Sequence, residues 1–339
     1  MFSETLSKII ARQDLSRREI SDVLHGLFEG NMTDAQIGAF MAALATKGET
    51  FEELAGAADA MRRKAARIQA NSSIVVDTCG TGGDGANTFN ISTTAAFVVA
   101  GAGVTVAKHG NRAISSKCGS ADLLEALGVN LDTEPELAEE SVNEINIGFL
   151  FAPLFHGAMK HAIGPRKELG VKTIFNMLGP LTNPAAANCQ VLGVFAPALT
   201  EMFADALKLL GAKRAFVVHG HDGLDEISVC APTRVSELND GMVRTYDITP
   251  EQFFNEAAQP SDLAGGTPEE NARITRNILS GREKGAKRNI VAINAGAALV
   301  AAGRAATLEE GITLANETID NGDAARKLGE LVEFTNSNG

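Results

Sequence analysis

Up to about residue 68 the apolar positions of this chain fall at helical spacings, and each helical stretch opens on a recognisable start signal. Three capping-box pairs, Ser16/Glu19, Thr33/Gln36 and Thr50/Glu53, each precede an amphipathic segment. In such a pair the hydroxyl accepts from the backbone three residues on, and the longer side chain reaches back to the cap. Gly48 stands where a helix should stop. Ile37, Phe40, Met41 and Leu44 recur at spacings of three and four, which makes one apolar stripe. The small residues Gly38, Ala39, Ala42, Ala43 and Ala45 would let another helix approach closely. This stretch therefore serves either an intramolecular bundle or a helical dimer interface.

After residue 70 the pattern changes to short β-rich runs at 74–76, 104–107, 148–151, 191–195 and 215–218, separated by helix-length segments. Strands alternating with helices imply a mostly parallel sheet covered on both faces. The expected fold class is α/β: a mostly parallel central sheet flanked by helices, plus a smaller all-helical domain. From residue 268 the chain returns to helix, and the alanine-rich, uncharged run 289–303 predicts a buried one. The segment 259–267 (QPSDLAGGT) reads as an exposed loop.

Composition narrows the function classes. The 339 residues are 45% hydrophobic and 21% charged, those of an ordinary globular protein. No apolar stretch reaches the roughly 18–20 residues a bilayer requires, and the N-terminus lacks a signal-like apolar region, so a cytoplasmic protein without membrane contact is expected. Cys79, Cys118, Cys189 and Cys230 are scattered without zinc-ligand spacing and read as reduced thiols. A net charge of −12 argues against nucleic-acid binding. An anionic ligand would need a local basic patch, and Lys108, His109, Arg112 and Lys117 supply one, with Arg166, Lys167 and Lys172 forming a second.

The run 77–90 (DTCGTGGDGANTFN) leaves an apolar strand and enters a helix near Ser92. Gly80, Gly82, Gly83 and Gly85 let the backbone curl around an anion and offer it N–H donors, and the helix N-terminus adds its own. In company with Asp84, Asn87, Asn90, Ser92 and Thr93, the run reads as a phosphate cradle and not a simple turn. It fits neither a Walker loop nor a dinucleotide-binding turn. A second motif, 106–128, places a strand end at about Ala107, so that Lys108, His109, Asn111 and Arg112 emerge on the same sheet edge as the glycine loop. Ser115, Ser116 and Ser120 offer hydroxyls, and Ser120 is expected as the N-cap of the next helix.

Four segments, GTGGDGANTFNIST, KHGNRAISSKCGSADLLEALG, RKELGVKTIFNMLGPLTNP (166–184) and HGHDGLDEIS (219–228), together resemble the anthranilate phosphoribosyltransferases of tryptophan biosynthesis. The resemblance spans nearly the whole chain. It implies a helical domain of residues 1–68 joined by a segment near 166–190, an α/β domain of 70–165 and 191–339, and homodimers formed through the helical parts. It implies phosphoribosyl pyrophosphate along Gly80, Gly83, Asp84, Thr88, Asn90, Ile91, Ser92 and Thr93, and along Lys108, His109, Gly110, Asn111, Arg112, Ala113, Ile114, Ser115 and Ser116 with Ser120. Magnesium is expected on Ser92, Asp225 and Glu226, and anthranilate against Gly80, Asn111 and Arg166 with His109 and His156 nearby. Lys108, Asp225 and Glu226 would then carry the catalysis, electrostatically and through the metal.

The residues suit those roles. Adjacent carboxylates behind the Gly223 turn are hard oxygen donors, apt for an ion that takes few protein ligands and several substrate oxygens. Arg166 offers a planar fork matched to a benzoate. The chain departs from the family pattern at Gly157, where relatives usually carry proline, and at Cys118. The alternative is a phosphate-dependent nucleoside phosphorylase of similar architecture, against which the DE pair and KHGNR favour a pyrophosphate-bearing donor. A non-catalytic nucleic-acid-binding relative is opposed by the intact motifs and the acidic charge.

Overall fold

The structure, a computed structural model, describes residues 2–113 and 117–337. Four helices open the chain: α1 (Phe2–Ile10), α2 (Arg17–Phe28), α3 (Asp34–Lys47) and α4 (Phe51–Lys64). All three expected capping boxes form, and Gly48 ends α3 with φ at 88°. The third box does more than cap. Glu53 is fully buried and accepts from the N–H of Thr50 at 2.9 Å, the N–H of Leu15 at 2.8 Å and Lys47 Nζ at 2.9 Å. One carboxylate thus ties together the loop before α2, the end of α3 and the start of α4, and its burial is tolerated because three donors replace water. The α3 stripe of Ile37, Phe40, Met41 and Leu44 is buried, while Ala39 and Ala45 are exposed. The helix Lys160–Leu169 packs on α3 and α2.

One seven-stranded sheet follows: β1 (Val75–Gly80), β2 (Thr105–Gly110), β3 (Ile147–Phe151), β4 (Cys189–Gly193), β5 (Arg214–Gly220), β6 (Thr233–Asn239) and β7 (Met242–Ile248). Its order is β3-β2-β1-β4-β5-β6-β7. The first five strands are parallel, and β6 and β7 add antiparallel at one edge. Successive residues point to opposite faces. Val76, Val106, Val191 and Val218 enter the core that holds α5 (Ile91–Gly101) and the helix Ala286–Ala301, whereas Leu192 and Val217 enter the core shared with α2, α3 and α4. The alanine-rich helix is buried along almost its whole length, as its composition predicts.

Two sequence expectations need correction, and one pair of strands adds to those expected. β1 and β2 run on to Gly80 and Gly110, so Lys108 and His109 lie within a strand and not on the loop beyond it. The β6–β7 hairpin went unread although its signal is present: Asp240 and Gly241 both have positive φ, 47° and 79°, as a two-residue hairpin turn of mirror-image type demands. The 259–267 stretch is exposed only in part. Leu263 is buried, its carbonyl accepts from Phe89 N–H, and Gly265 N–H donates to the Asn87 carbonyl, strapping this segment to the end of the glycine run.

Four neighbouring strands, β1, β2, β4 and β5, all end in glycine, and none of the four sites has room for a Cβ. A methyl group would come within 2.4 Å of Asp225 Oδ2 at Gly80, 2.2 Å of Ser120 Oγ at Gly110, 1.5 Å of the Asp225 carbonyl at Gly193 and 2.4 Å of Asp222 Oδ1 at Gly220. The carboxyl edge of the sheet is therefore packed closely against the loops above it, at Gly193 against the Asp225 backbone itself. Gly193→Ala should cost about 3 kcal/mol in urea unfolding, at the upper end of overpacking effects. Gly157→Ala, at a site open on every side, should stay within about 0.5 kcal/mol of wild type.

Candidate active site

The site lies at the carboxyl ends of β1, β2 and β4, where the chain's path through the sheet reverses direction. Lys108 on β2 is buried, and its Nζ donates to the Thr78 carbonyl and, at 3.4 Å, to Ser92 Oγ. The Ser92 N–H donates to Glu226 Oε1 at 3.1 Å, and the Gly82 N–H to Asp225 Oδ2 at 2.8 Å. Residues far apart in sequence thus converge: the glycine loop, the start of α5, Lys108 and the Asp225–Glu226 pair. Burial holds the Glu226 carboxyl well above its ordinary range, with Asp225 adding to the effect. Burial likewise raises Asp225, reinforced by the charge of Asp84. Burial pulls the Lys108 ammonium downward, opposed by Asp77 and then Glu226 among its neighbours.

The glycine loop owes its curl to Gly82, Gly83 and Gly85, with φ at 66°, 76° and 71°. Thr88 bridges to Ala264, Ile91 is part of the core, and Thr93 is buried. Asn90 caps α5 without a side-chain bond to its first turn. Its amide instead donates to the Cys118 carbonyl and accepts from Asn271, each at 3.0 Å.

In the second motif Ser120 is not the N-cap. Gly119 takes that place ahead of α6 (Ser120–Ala126), and Asp122 accepts from the N–H groups of Gly119 and Ala113. Ser120 Oγ instead accepts from Asn111 N–H at 3.1 Å, fixing the loop from inside. The Arg112 guanidinium reaches Glu125 at 2.8 Å and Asp122 at 3.2 Å and lies over Phe151. Ile114, Ser115 and Ser116 lie outside the described residues.

His109 and His156 form a pair on the opposite wall, their Nε2 atoms 3.2 Å apart. His109 Nδ1 faces the Gly179 carbonyl at 3.1 Å and must carry the proton there, so His156 Nε2–H donates to a bare His109 Nε2. His156 Nδ1 is then an acceptor with no partner among the described residues. Arg166 is half-buried over the Phe175 ring at 5.5 Å, with no acidic partner among the described residues. The Cys118 thiol, whose residue's carbonyl accepts from Asn90, is pushed up to about 11 by burial and is not a ready nucleophile.

Residues 72–325 match the model of the glycosyl transferase family a/b domain, and residues 3–65 that of the same family's helical bundle domain. An anthranilate phosphoribosyltransferase from Desulfosudis oleivorans is 78% identical over 339 residues, the full length of both chains. The chain belongs to the anthranilate phosphoribosyltransferase family. Among solved members, that of Thermus thermophilus is 45% identical with a TM-score of 0.93, covering 98% of this chain and 99% of its own. The Saccharomyces cerevisiae enzyme in complex with PRPP and Mg is 31% identical with a TM-score of 0.89, covering 99% and 98%. It is also known with 4-fluoroanthranilate, at 30% identity and a TM-score of 0.87 over 98% of both chains.

In this member of the family, several residues that build the site escaped sequence reasoning. Asp77 is fully buried on β1 and accepts from His109 N–H at 3.2 Å and Asn183 Nδ2 at 2.8 Å. Asn183 also donates to the Ala107 carbonyl at 2.7 Å, so one side chain locks β1, β2 and the 179–184 segment together. Asn271 joins Gly266 to Asn90. The available signals were a polar residue inside an apolar strand for Asp77 and a glycine ending a strand for Gly193.

The imidazole pair sets a pH dependence. Burial lowers His109 to about 3 and His156 to about 4, against an ordinary 6.5. Between those values the unfolded chain binds more protons than the folded one, so stability falls as pH drops from about 6.5 toward 4. At pH 5 the loss is roughly 2 kcal/mol for each imidazole. Urea unfolding at pH 7.5 and 5 should show this slope, and a double substitution to glutamine should flatten it.

Proposed function

We propose that this protein transfers the 5-phosphoribosyl group of phosphoribosyl pyrophosphate to the amine of anthranilate, giving N-(5-phosphoribosyl)anthranilate and pyrophosphate, the second committed step toward L-tryptophan. The observation that carries the reading is the meeting of Lys108, Ser92, Asp225 and Glu226 beneath a glycine loop whose family match covers the whole chain. The glycine loop and the Lys108–Ser116 motif would hold the phosphates and ribose. Arg166, lacking an acidic partner among the described residues, would take the anthranilate carboxylate. His109 and His156, neutral at pH 7 and too weakly basic for proton abstraction, would shape the pocket and hydrogen-bond the aromatic substrate.

The donor set fits magnesium. Asp225 and Glu226 are two hard carboxylates raised by burial, Asp225 further by Asp84 and Glu226 further by Asp225, while the Lys108 charge opposes the effect on Glu226. Magnesium takes few protein ligands and completes its shell with water and substrate oxygens. Ser92, Asp225 and Glu226 would hold it. A bound magnesium supplies positive charge to the departing pyrophosphate. The amine nitrogen bonds to ribose C1 as the C1–oxygen bond breaks, the electron pair leaves with pyrophosphate, and the amine proton passes to solvent. An aromatic amine is neutral near pH 7, so no strong base is needed. Lys108 and the loop N–H groups would stabilise the charge growing on the leaving group.

We further propose a homodimer through the helical unit, supported by Ile10 and Ile163, which are 68% and 59% exposed on it, and a cytoplasmic setting for the enzyme. No helix of the described residues is long and apolar enough to cross a membrane.

Anthranilate fluorescence should fall when phosphoribosyl pyrophosphate and Mg²⁺ are added, stop with a chelator and resume with excess Mg²⁺. Thymidine or uridine cleavage by phosphate would favour the phosphorylase instead. Lys108→Ala and Asp225→Asn should each lower kcat about a hundredfold in a protein that still folds, with Lys108→Ala melting lower because it leaves buried carboxyls without their cation; wild-type turnover in both would contradict the site. Arg166→Lys should raise KM for anthranilate about tenfold, since the ammonium loses the second parallel hydrogen bond.

A further inference from the structure

Lys172 stands on the loop that follows the helix Lys160–Leu169 and reaches across the crevice to the glycine loop. Its Nζ donates to the Gly83 carbonyl at 3.3 Å and sits 3.7 Å from the centre of the Phe195 ring. Phe195 lies just past β4, its N–H bound to Thr81 Oγ1 at 3.1 Å. The fit is close, since a Cβ on Gly83 would lie 3.4 Å from Lys172 Nζ and 3.5 Å from its Cε. Lys172 is exposed and has no acidic partner among the described residues. Arg112, the most prominent cation of the other basic cluster, is by contrast engaged by Glu125 and Asp122.

Two adjacent residues of the loop are thereby held from two sides. Gly82 N–H is bound to Asp225 of the α/β unit, and the Gly83 carbonyl to Lys172 of the segment that carries Arg166. We propose that Lys172 is a positioning residue for the pyrophosphate-bearing substrate, tying the anthranilate-side wall to the glycine loop and keeping a free positive charge at its lip. The proposal rests on the phosphoribosyl-transfer reading. In a chain of net charge −12, an unneutralised ammonium at this place offsets the repulsion a polyanion meets on entry. Such an attraction is screened by salt, over about 10 Å at 0.1 M.

Lys172→Met keeps the length of the side chain and its apolar contact with Phe195 while removing the charge, and Lys172→Arg restores the charge. In the full-length enzyme, Lys172→Met should raise KM for phosphoribosyl pyrophosphate about fivefold to tenfold, lower kcat by less than that, leave KM for anthranilate within twofold and flatten the rise of KM with salt. Lys172→Arg should recover most of the affinity and the salt slope. Calorimetric binding of inorganic pyrophosphate with Mg²⁺ should weaken in the same order, a readout independent of anthranilate chemistry. Unchanged pyrophosphate affinity and salt slope in Lys172→Met would overturn the proposal. So would a loss that Lys172→Arg does not repair and that tracks a lowered melting temperature. Failure of the wild-type enzyme to consume anthranilate would instead count against the functional reading, and pyrophosphate binding would still decide the role of Lys172.

Discussion

More negative charge is buried at the carboxyl edge of the sheet than the chain's own cations balance, and the rest of the site follows from that. Asp77 and Glu226 act on Lys108, Asp225 acts on Glu226, and burial raises each of the three carboxyls. Taking such groups out of water is costly unless hydrogen bonds and opposite charge replace it. Asp77 meets the cost structurally, through Asn183 and the His109 N–H. Asp225 is met in part by the Gly82 N–H, and Glu226 in part by the Ser92 N–H and the Lys108 charge, and both remain raised. In the proposed reading, that shortfall is what a hard cation and, through it, phosphate oxygens would complete.

The sheet makes the arrangement possible. With β1 in the middle, the chain builds first toward β3 and then returns to lay β4 and β5 on the other side, opening a crevice at the reversal. Gly80 and Gly193 pair across that point, and both press on Asp225. The absence of side chains there lets the acidic loop sit directly over the strand ends. Asn271 and the 263–266 strap then brace the far end of the glycine run, and Asn183 braces the near end. The glycine run is held by its neighbours at both ends.

Much of this was legible from residue patterns. The capping boxes, the α3 stripe, the buried alanine-rich helix and the convergence of the glycine run with KHGNR follow from local rules of spacing and turn chemistry. The misreadings arise where a residue's role is set by a partner outside its own turn of chain, or where charged edge positions blur a strand. Ser120 has the chemistry of a cap, but Asn111, nine residues earlier, competes for its hydroxyl and wins. The 259–267 stretch is polar and glycine-rich, like a free loop, yet Gly265 is needed for close approach to the Phe89 backbone. Strand ends at 107–110 were cut short because Lys108 and His109 are polar, and only the tertiary site explains why a strand buries them. The β6–β7 hairpin was missed because its edge position tolerates alternating charged residues that blur the strand signal.

The central claim, that buried carboxylates are completed by a cation and its phosphate ligand, is tested by melting temperature. Mg²⁺ alone should raise that of the wild-type protein slightly, and Mg²⁺ with phosphoribosyl pyrophosphate by several degrees, as expected when ligands bind only the folded state. In Glu226→Gln the joint effect should shrink to little more than that of either component alone. Equal stabilisation of wild type and variant by the pair would contradict the account.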